Sequence, residues 1–268
     1  MWRISRHILG AFLSAASLAA AQAAVAGDRV VGASPFRWMR QADWHGDSVH
    51  ERHSSREGAR HAQARQIRPI DEAASVPELA ALRAQILRAV GARDLSALSE
   101  VFGPKVQIDF AEELTATEFV AAAQAWPEEL KDTFWRDVHD AISLGMAHRG
   151  EGMFAPYTFV ALGAFSGELS EDSAAISGRG VAVRTAPNQQ SAMVESLTYE
   201  AVEVVPGTFT ENEATTIDGF RYGWRQVVTP TGRTGWVSEK YLRSMYDMRL
   251  WFKQIDGQWR LVAIATGD

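Results

Sequence analysis

The chain of 268 residues contains no cysteine. This absence excludes disulfide bonds, a Cys–His peptidase and the lipidation of a mature N-terminus through a thiol. Because disulfides are common but not obligatory in oxidising compartments, the absence is compatible with export from the cell. With 46% apolar residues, the chain has enough hydrophobic material for a substantial core.

Recurrent catalytic motifs are also missing. The sequence holds no H-x-H or H-E-x-x-H pair, no G-x-S-x-G or S-x-x-K nucleophile and no Walker loop. Four polar residues can be imagined as acid–base groups: Asp109, His139, Asp140 and His148. We expect His139 and Asp140, with Asp137, to lie on the solvated face of a helix, and we predict no enzymatic activity, cofactor or metal. Two positioned carboxylates suffice for a glycosidase, so that alternative stays open.

The first 26 residues have the order of a secretory signal peptide. Arg3 and Arg6 precede a weakly apolar run, and Ala24 and Ala26 form an A-x-A cleavage site before Gly27. The two arginines are not adjacent, which favours the general export route over the twin-arginine route. An N-terminal membrane anchor is the alternative, but serines and a glutamine interrupt the run. We therefore predict a periplasmic or secreted product, with no membrane span after cleavage.

Residues 27–71 are predicted to be a basic, disordered linker. The stretch from Arg37 to Arg68 carries seven arginines and few large apolar residues, so it offers little to offset the entropy of ordering. A metal site on four histidines is conceivable, but such sites usually need a rigid frame. These histidines are His45, His50, His53 and His61. The arm could weakly favour an anionic membrane or envelope polymer.

An acidic body follows the basic arm. From Pro69 onward the chain has 17 basic and 28 acidic residues, a net charge of −11. Binding to nucleic acid requires clustered Lys and Arg that neutralise phosphates. The charge pattern therefore argues against a nucleic-acid partner.

Residues 72–175 are predicted to form a helix-rich α+β body. Pro77 should open a first helix, Leu95 a second that reaches Phe102, and Pro127 a fourth. Thr115 and Glu118 form a capping box for the third helix. The stretches "KVQIDF" and "MFAPYTFVAL" both predict strands.

The stretch "RAVGARDLSALSEVFGPKVQIDF", from Arg88 to Phe110, faintly resembles the opening of NTF2-like proteins. This resemblance implies a conical sheet around a pocket. The alternative function is accordingly a pocket domain that binds or converts a small molecule, with a deep cavity between the first helix, "KVQIDF" and the C-terminal hairpin.

Residues 176–243 contain short strands and turns and predict a small barrel. Three stretches in this order resemble a bacterial SH3-like (SH3b) domain: "GVAVRTAP", "YGWRQVVTPTGRTGWV" and "YLR". The connection from Pro206 to Tyr222 is longer than the family's usual one, so it could cover or extend a binding surface. The resemblance implies a module of the cell envelope that binds peptidoglycan or a peptide or protein partner.

Aromatic faces can stack on sugar rings, and arginine can pair with peptide carboxylates. The candidate ligand-binding residues are Tyr199, Tyr222, Trp224, Arg233 and Tyr241. A role in the core is the alternative for each aromatic residue, and for Trp224 and Trp236 we consider it the better interpretation.

Residues 244–268 predict a hairpin around Asp256-Gly257. Its second strand, "WRLVAIA", is almost continuously apolar and should be buried on both faces. We expect this hairpin to return to the body and to pair with strands near 106–110 or 153–162. The predicted fold class is therefore α+β, with the SH3-like barrel inserted into the body ahead of its last hairpin.

Overall fold

The computed structural model describes residues 65–109, 112–165 and 168–267, and only the backbone of Glu112. The predicted signal peptide, the linker as far as residue 64 and its four histidines lie outside these residues. The helices are α1 (Pro77–Ala92), α2 (Leu95–Ser99), α3 (Ala116–Gln124), α4 (Glu128–Ser143) and α5 (Tyr157–Gly163). The strands are β1 (Phe102–Ile108), β2 (Glu112–Leu114), β3 (Ala147–Arg149), β4 (Gly152–Ala155), β5 (Ser173–Ile176), β6 (Val181–Arg184), β7 (Met193–Leu197), β8 (Ala201–Val204), β9 (Thr210–Ile217), β10 (Phe220–Val228), β11 (Thr234–Ser238), β12 (Leu242–Ser244), β13 (Arg249–Ile255) and β14 (Gln258–Ala265).

Local sequence signals start most of the body's helices. Pro77 opens α1, and the predicted capping box at Thr115 and Glu118 is present at α3. Pro127 precedes α4, whose apolar face carries Leu130, Phe134, Val138 and Ile142, all buried. The second helix ends earlier than predicted, at Ser99, because β1 already begins at Phe102.

The body is built on a six-stranded sheet in the order β2-β1-β14-β13-β4-β3. The C-terminal hairpin β13–β14 lies in the middle: β14 pairs in parallel with β1, and β13 pairs antiparallel with β4. These are the partners expected from the sequence, and the β-rich segment is thus inserted between β4 and β13. The α+β class is confirmed.

An aromatic cluster fills the space between this sheet and the helices. The ring of Phe119 lies 5.0 Å from that of Phe102 and 5.9 Å from that of Phe134. Ile86 on α1, Val106 on β1 and Leu261 on β14 each have 0% exposure and belong to the same apolar core. Side chains therefore pack together between the three elements that would line the cavity of the NTF2-like alternative.

The prediction of one strand over "MFAPYTFVAL" is wrong in its second half. The strand β4 ends at Ala155, Pro156 follows, and the chain continues as helix α5 from Tyr157. Proline cannot donate to a sheet ladder but suits the start of a helix, so the change of structure at this residue has a local cause.

The second sheet has eight strands in the order β12-β5-β8-β10-β11-β6-β7, with β9 also paired to β10. It surrounds a small apolar core that includes Ile176, Val183, Val227 and Val237. The sheet is not closed into a barrel, in contrast to the prediction. The strands β7 and β8 lie apart in the sheet but are separated by only three residues in the chain, where residues 198 and 199 form a bend.

The long connection from Pro206 to Tyr222 forms a ribbon in place of the predicted loop. The strands β9 and β10 pair from Thr210 to Trp224 around a turn at Asp218-Gly219, where both residues have positive φ. The ring of Phe220, beside this turn, lies 5.1 Å from the ring of His139 on α4, at an angle of 39°. The insertion in the SH3-like pattern thus joins the β-rich module to the body.

None of the helices in the described part of the chain combines the length and apolar character that a membrane span requires.

Candidate functional site

Two of the five predicted ligand-binding residues meet at one loop. The backbone N–H of Tyr199 donates to Gly178 O (3.1 Å), and Ser177 N donates to the carbonyl of Tyr241 (2.9 Å). A Cβ on Gly178 would lie 2.9 Å from Val181 and 3.3 Å from the Tyr241 ring, so a glycine is needed for this close approach. Both tyrosines are half-buried. We call Tyr199, Tyr241 and the loop residue Arg179 the tyrosine patch.

Tyr199 has an unusual backbone conformation. Its φ is +61°, in the left-handed region that bulky residues rarely adopt. The guanidinium of Arg179 lies 5.4 Å from the centre of its ring, which is a cation–π distance. Strained residues that the surroundings hold in place cluster at binding and catalytic sites. This conformation marks Tyr199 as a candidate for function.

The chain upstream of the body passes beside the tyrosine patch. Ile67 N donates to Tyr199 O (2.6 Å), and Ala201 N donates to Arg65 O (2.9 Å). The side chain of Ile67 is 1% exposed, and its carbonyl accepts from the Tyr157 hydroxyl (3.0 Å). Residues from Arg65 onward are therefore fastened to the fold, so the linker ends earlier than the predicted residue 71.

Tyr222 and Trp224 lie in the interior instead. Tyr222 is 1% exposed and Trp224 is 3% exposed. The indole N–H of Trp224 donates to the carbonyl of Glu213 on β9 (3.0 Å), so the ribbon covers its ring. Neither side chain presents a face to a ligand at the surface. The core interpretation holds for Trp224 but not for Trp236, which is only partly buried. Tyr222 has a structural partner in Asp140.

Arg233 lies at the turn between β10 and β11 and is exposed. Its Nη1 donates to the carbonyl of Val194 on β7 (2.9 Å). Val194 lies near the start of β7, whereas Tyr199 follows the end of this strand. Arg233 is thus well separated from the tyrosine patch.

A buried polar cluster of Asp140, Tyr222, Lys240 and Arg243 connects α4 to the β-rich module. We call it the Asp140 cluster. The Asp140 carboxylate accepts from the Tyr222 hydroxyl (2.8 Å), from Lys240 Nζ (2.9 Å) and from Arg243 Nη2. Asp140 is only 6% exposed, so its predicted place on a solvated helix face is wrong. A charged residue on a predicted helix is assigned to the solvated face when the sequence shows no partner for it. The partners of Asp140 lie 82 to 103 residues away in the chain, so the local pattern could not reveal them.

The charges in the Asp140 cluster fix its protonation. Burial alone would raise the pKa of Asp140, but Arg243, His139 and Lys240 outweigh this effect and hold that pKa well below its ordinary value. Burial and the Asp140 carboxylate raise the pKa of Tyr222 far above its usual range, so its hydroxyl stays a donor. The Asp140 carboxylate on α4 is thus bonded to three donors from the β-rich module, and these bonds connect the two parts of the fold.

The Asp140 cluster should make the stability of the fold sensitive to acid. A carboxyl group whose pKa is lowered by folding stabilises the folded state above its ordinary pKa of 3.8, and the contribution is lost as the pH falls. We expect the free energy of unfolding to decrease from about pH 5 to about pH 2, and to decrease less in Asp140→Asn. Urea denaturation across this range measures both. The control Asp132→Asn, at an exposed position of α4, should keep the wild-type slope. An equal slope in Asp140→Asn would contradict this assignment.

Of the other imagined acid–base residues, His139 lies beside Asp140, with its Nδ1 3.4 Å from Oδ1, whereas Asp109 and His148 lie elsewhere. Asp109 follows β1, and its Oδ1 accepts from the backbone N–H of Thr266 (2.9 Å) and from its hydroxyl (3.0 Å). His148 lies on the edge strand β3 and is exposed. Across the residues that the structure describes, no group of three or more His, Asp or Glu side chains is arranged to hold a metal ion.

Comparison with known proteins gives no information on the function of this site. No family model, curated protein or solved structure matches this chain. The SH3b and NTF2-like resemblances therefore remain predictions, each resting on its quoted residues. Of the five residues predicted to bind ligand, Tyr199 and Tyr241 are half-buried and both contact the loop at residues 177–178. Sequence reasoning did not single out Arg179, which lies against the ring of Tyr199.

Proposed function

We propose that this chain is an exported, non-enzymatic envelope protein whose β-rich module binds peptidoglycan at the tyrosine patch. The left-handed conformation of Tyr199, with Arg179 held against its ring, is the observation that carries the proposal. The part of each tyrosine ring that stays accessible offers a flat face for the apolar side of a sugar. An adjacent guanidinium suits the carboxylates of the wall's peptides. The SH3b resemblance and the predicted signal peptide support an envelope location.

The test is binding of the mature chain, from Gly27, to purified peptidoglycan sacculi at physiological salt. We expect Tyr199→Asn to weaken binding about tenfold, the loss typical of an important interface aromatic. Asparagine tolerates a positive φ better than other side chains, so this variant removes the ring while keeping the backbone conformation. A wild-type affinity in Tyr199→Asn would overturn the proposal.

Two controls separate stacking from nonspecific charge. Arg221→Gln removes an exposed arginine from the ribbon of the same module and should bind as wild type. A chain that starts at Arg65 lacks the upstream arginines but keeps the backbone contacts to Tyr199 and Ala201. If the shorter chain does not bind, or if the mature chain loses its binding when the salt concentration is raised, the interaction is due to the charge of the arm. Absence of binding in every form would favour a protein partner.

A further inference from the structure

A second group of side chains lies across three strands of the same module, where Met193 is exposed and Arg184 and Trp236 are partly buried. Trp236 on β11 is directly opposite Arg184 on β6, and Arg184 is opposite Met193 on β7. Opposed residues of antiparallel strands project to the same face, and a register shift between Val183 and Arg184 leaves Val194 as an extra residue on β7. Their chain neighbours Val183 and Val237 are buried in the core with 0% exposure, so Arg184 and Trp236 project outward. Met193 is 61% exposed.

Two arginines bracket this methionine. Arg184 Nη1 donates to the carbonyl of Ser191 (2.7 Å), and Arg233 Nη1 donates to the carbonyl of Val194 (2.9 Å). Each guanidinium is thus anchored by one nitrogen to the chain on either side of Met193. No ion pair to a carboxylate involves either arginine among the residues that the structure describes. We call Arg184, Met193, Arg233 and Trp236 the Met193 surface.

The composition of this surface differs from that of the chain around it. The chain is strongly acidic from Pro69 onward, with a net charge of −11, whereas this surface presents two cations around an apolar centre. Methionine, tryptophan and arginine are the types enriched where proteins bind one another. An unbranched thioether adapts to the shape of a partner, and a guanidinium with one nitrogen already fixed is preorganised for a carboxylate.

We propose that the Met193 surface is a docking site for an acidic peptide segment of a protein partner, with an apolar side chain on Met193 and Trp236 and carboxylates on Arg184 and Arg233. It lies at the far end of β7 from Tyr199. A wall ligand at the tyrosine patch and a protein on the Met193 surface can therefore be bound together, and the second proposal does not depend on the first.

The experiment selects binders to the mature chain from a display library of random short peptides. We expect the enriched sequences to combine Asp or Glu with large apolar residues. The best peptide, labelled with fluorescein, should bind in an anisotropy titration, and its Asn/Gln counterpart should bind about tenfold more weakly, as the loss of a charge-assisted pair implies. Arg184→Gln and Met193→Ser should each raise the Kd of the acidic peptide by a similar factor.

Matched variants make the outcome decisive. Arg221→Gln removes one exposed arginine elsewhere on the module and should leave the peptide's Kd unchanged, as should Tyr199→Asn. Arg184→Lys keeps the charge and should restore part of the affinity lost in Arg184→Gln, while thermal melting confirms that each variant is folded. Failure to enrich any peptide, enrichment of neutral or basic sequences, or a Kd indifferent to Arg184 and Met193 would overturn the proposal. If the chain associates with itself, and the substitutions at Arg184 and Met193 abolish this association, the occupant of the surface is a second copy of the chain and not a partner protein.

Discussion

Replacing Asp140 with alanine is expected to lower the free energy of unfolding by about 3–5 kcal/mol, the range measured when one member of a buried ion pair is removed. The substitution leaves Lys240 and Arg243 with their charges in the interior and removes the acceptor of the Tyr222 hydroxyl. Arg243 is itself only 7% exposed, so water cannot readily replace the lost carboxylate. The joint between α4 and the module should therefore weaken.

Urea denaturation followed by tryptophan fluorescence measures this change. The control Asp132→Ala removes another aspartate from α4, whose side chain is 58% exposed and pairs with Arg93 at the surface; its cost should stay below about 1 kcal/mol. Tyr222→Phe removes one hydroxyl, which donates to Asp140 and accepts from Lys240 Nζ (3.2 Å), and should cost about 1 kcal/mol. Similar losses in Asp140→Ala and Asp132→Ala would show that the Asp140 cluster contributes no more than a surface pair.

The second large effect is expected at Gly235, where adding one methyl group should cost about 2–3 kcal/mol. A Cβ at this position would lie 2.5 Å from Val183 Cγ1 and 2.8 Å from the carbonyl oxygen of Arg184. The second neighbour is backbone and cannot rotate away. Gly235→Ala should therefore push β6 away from β11 and disturb the pairing of Trp236 with Arg184.

The same substitution at Gly91 provides a control of opposite sign. Gly91 lies within α1, and a Cβ there would meet nothing within 4 Å. Gly91→Ala should stabilise the chain by about 0.5–1 kcal/mol, because alanine has the better helix propensity. In the double variant Val183→Ala/Gly235→Ala, one of the two clashes is relieved while the core loses two methyl groups, so the loss of stability should be smaller than the sum of the losses in the two single variants. Equal midpoints for Gly235→Ala and wild type would show that β6 and β11 are not tightly packed.

The sequence predicted the body better than the module. Helix α4 could be recognised because Leu130, Phe134, Val138 and Ile142 repeat at helical spacing, and the capping box at Thr115 is a local signal. The return of the last hairpin to the body followed from its uninterrupted apolar strand, which needs neighbours on both faces. Periodicity and capping are encoded within a few residues, so they can be read without knowing the tertiary structure.

The candidate site depended on contacts that local patterns do not encode. Tyr222 and Asp140 are 82 residues apart, and neither the tyrosine nor the helix signals the other. The dipeptide Asp218-Gly219 is a hairpin signal of the same kind as Asp256-Gly257, and it could have revealed the ribbon that buries Trp224. The positive φ of Tyr199 leaves no trace in the sequence, because it results from the bend between β7 and β8.

The backbone hydrogen bonds of Arg65 and Ile67 to the module affect how tightly a polymeric ligand would be held at the tyrosine patch. Seven arginines lie between Arg37 and Arg68, and the chain that carries them enters the fold beside Tyr199. A polymer held at the tyrosine patch would meet these arginines at the high effective concentration of a tethered group, so individually weak contacts would multiply the affinity without any new pocket. Moving this attachment point to the opposite side of the module would abolish that gain while leaving every residue of the patch in place.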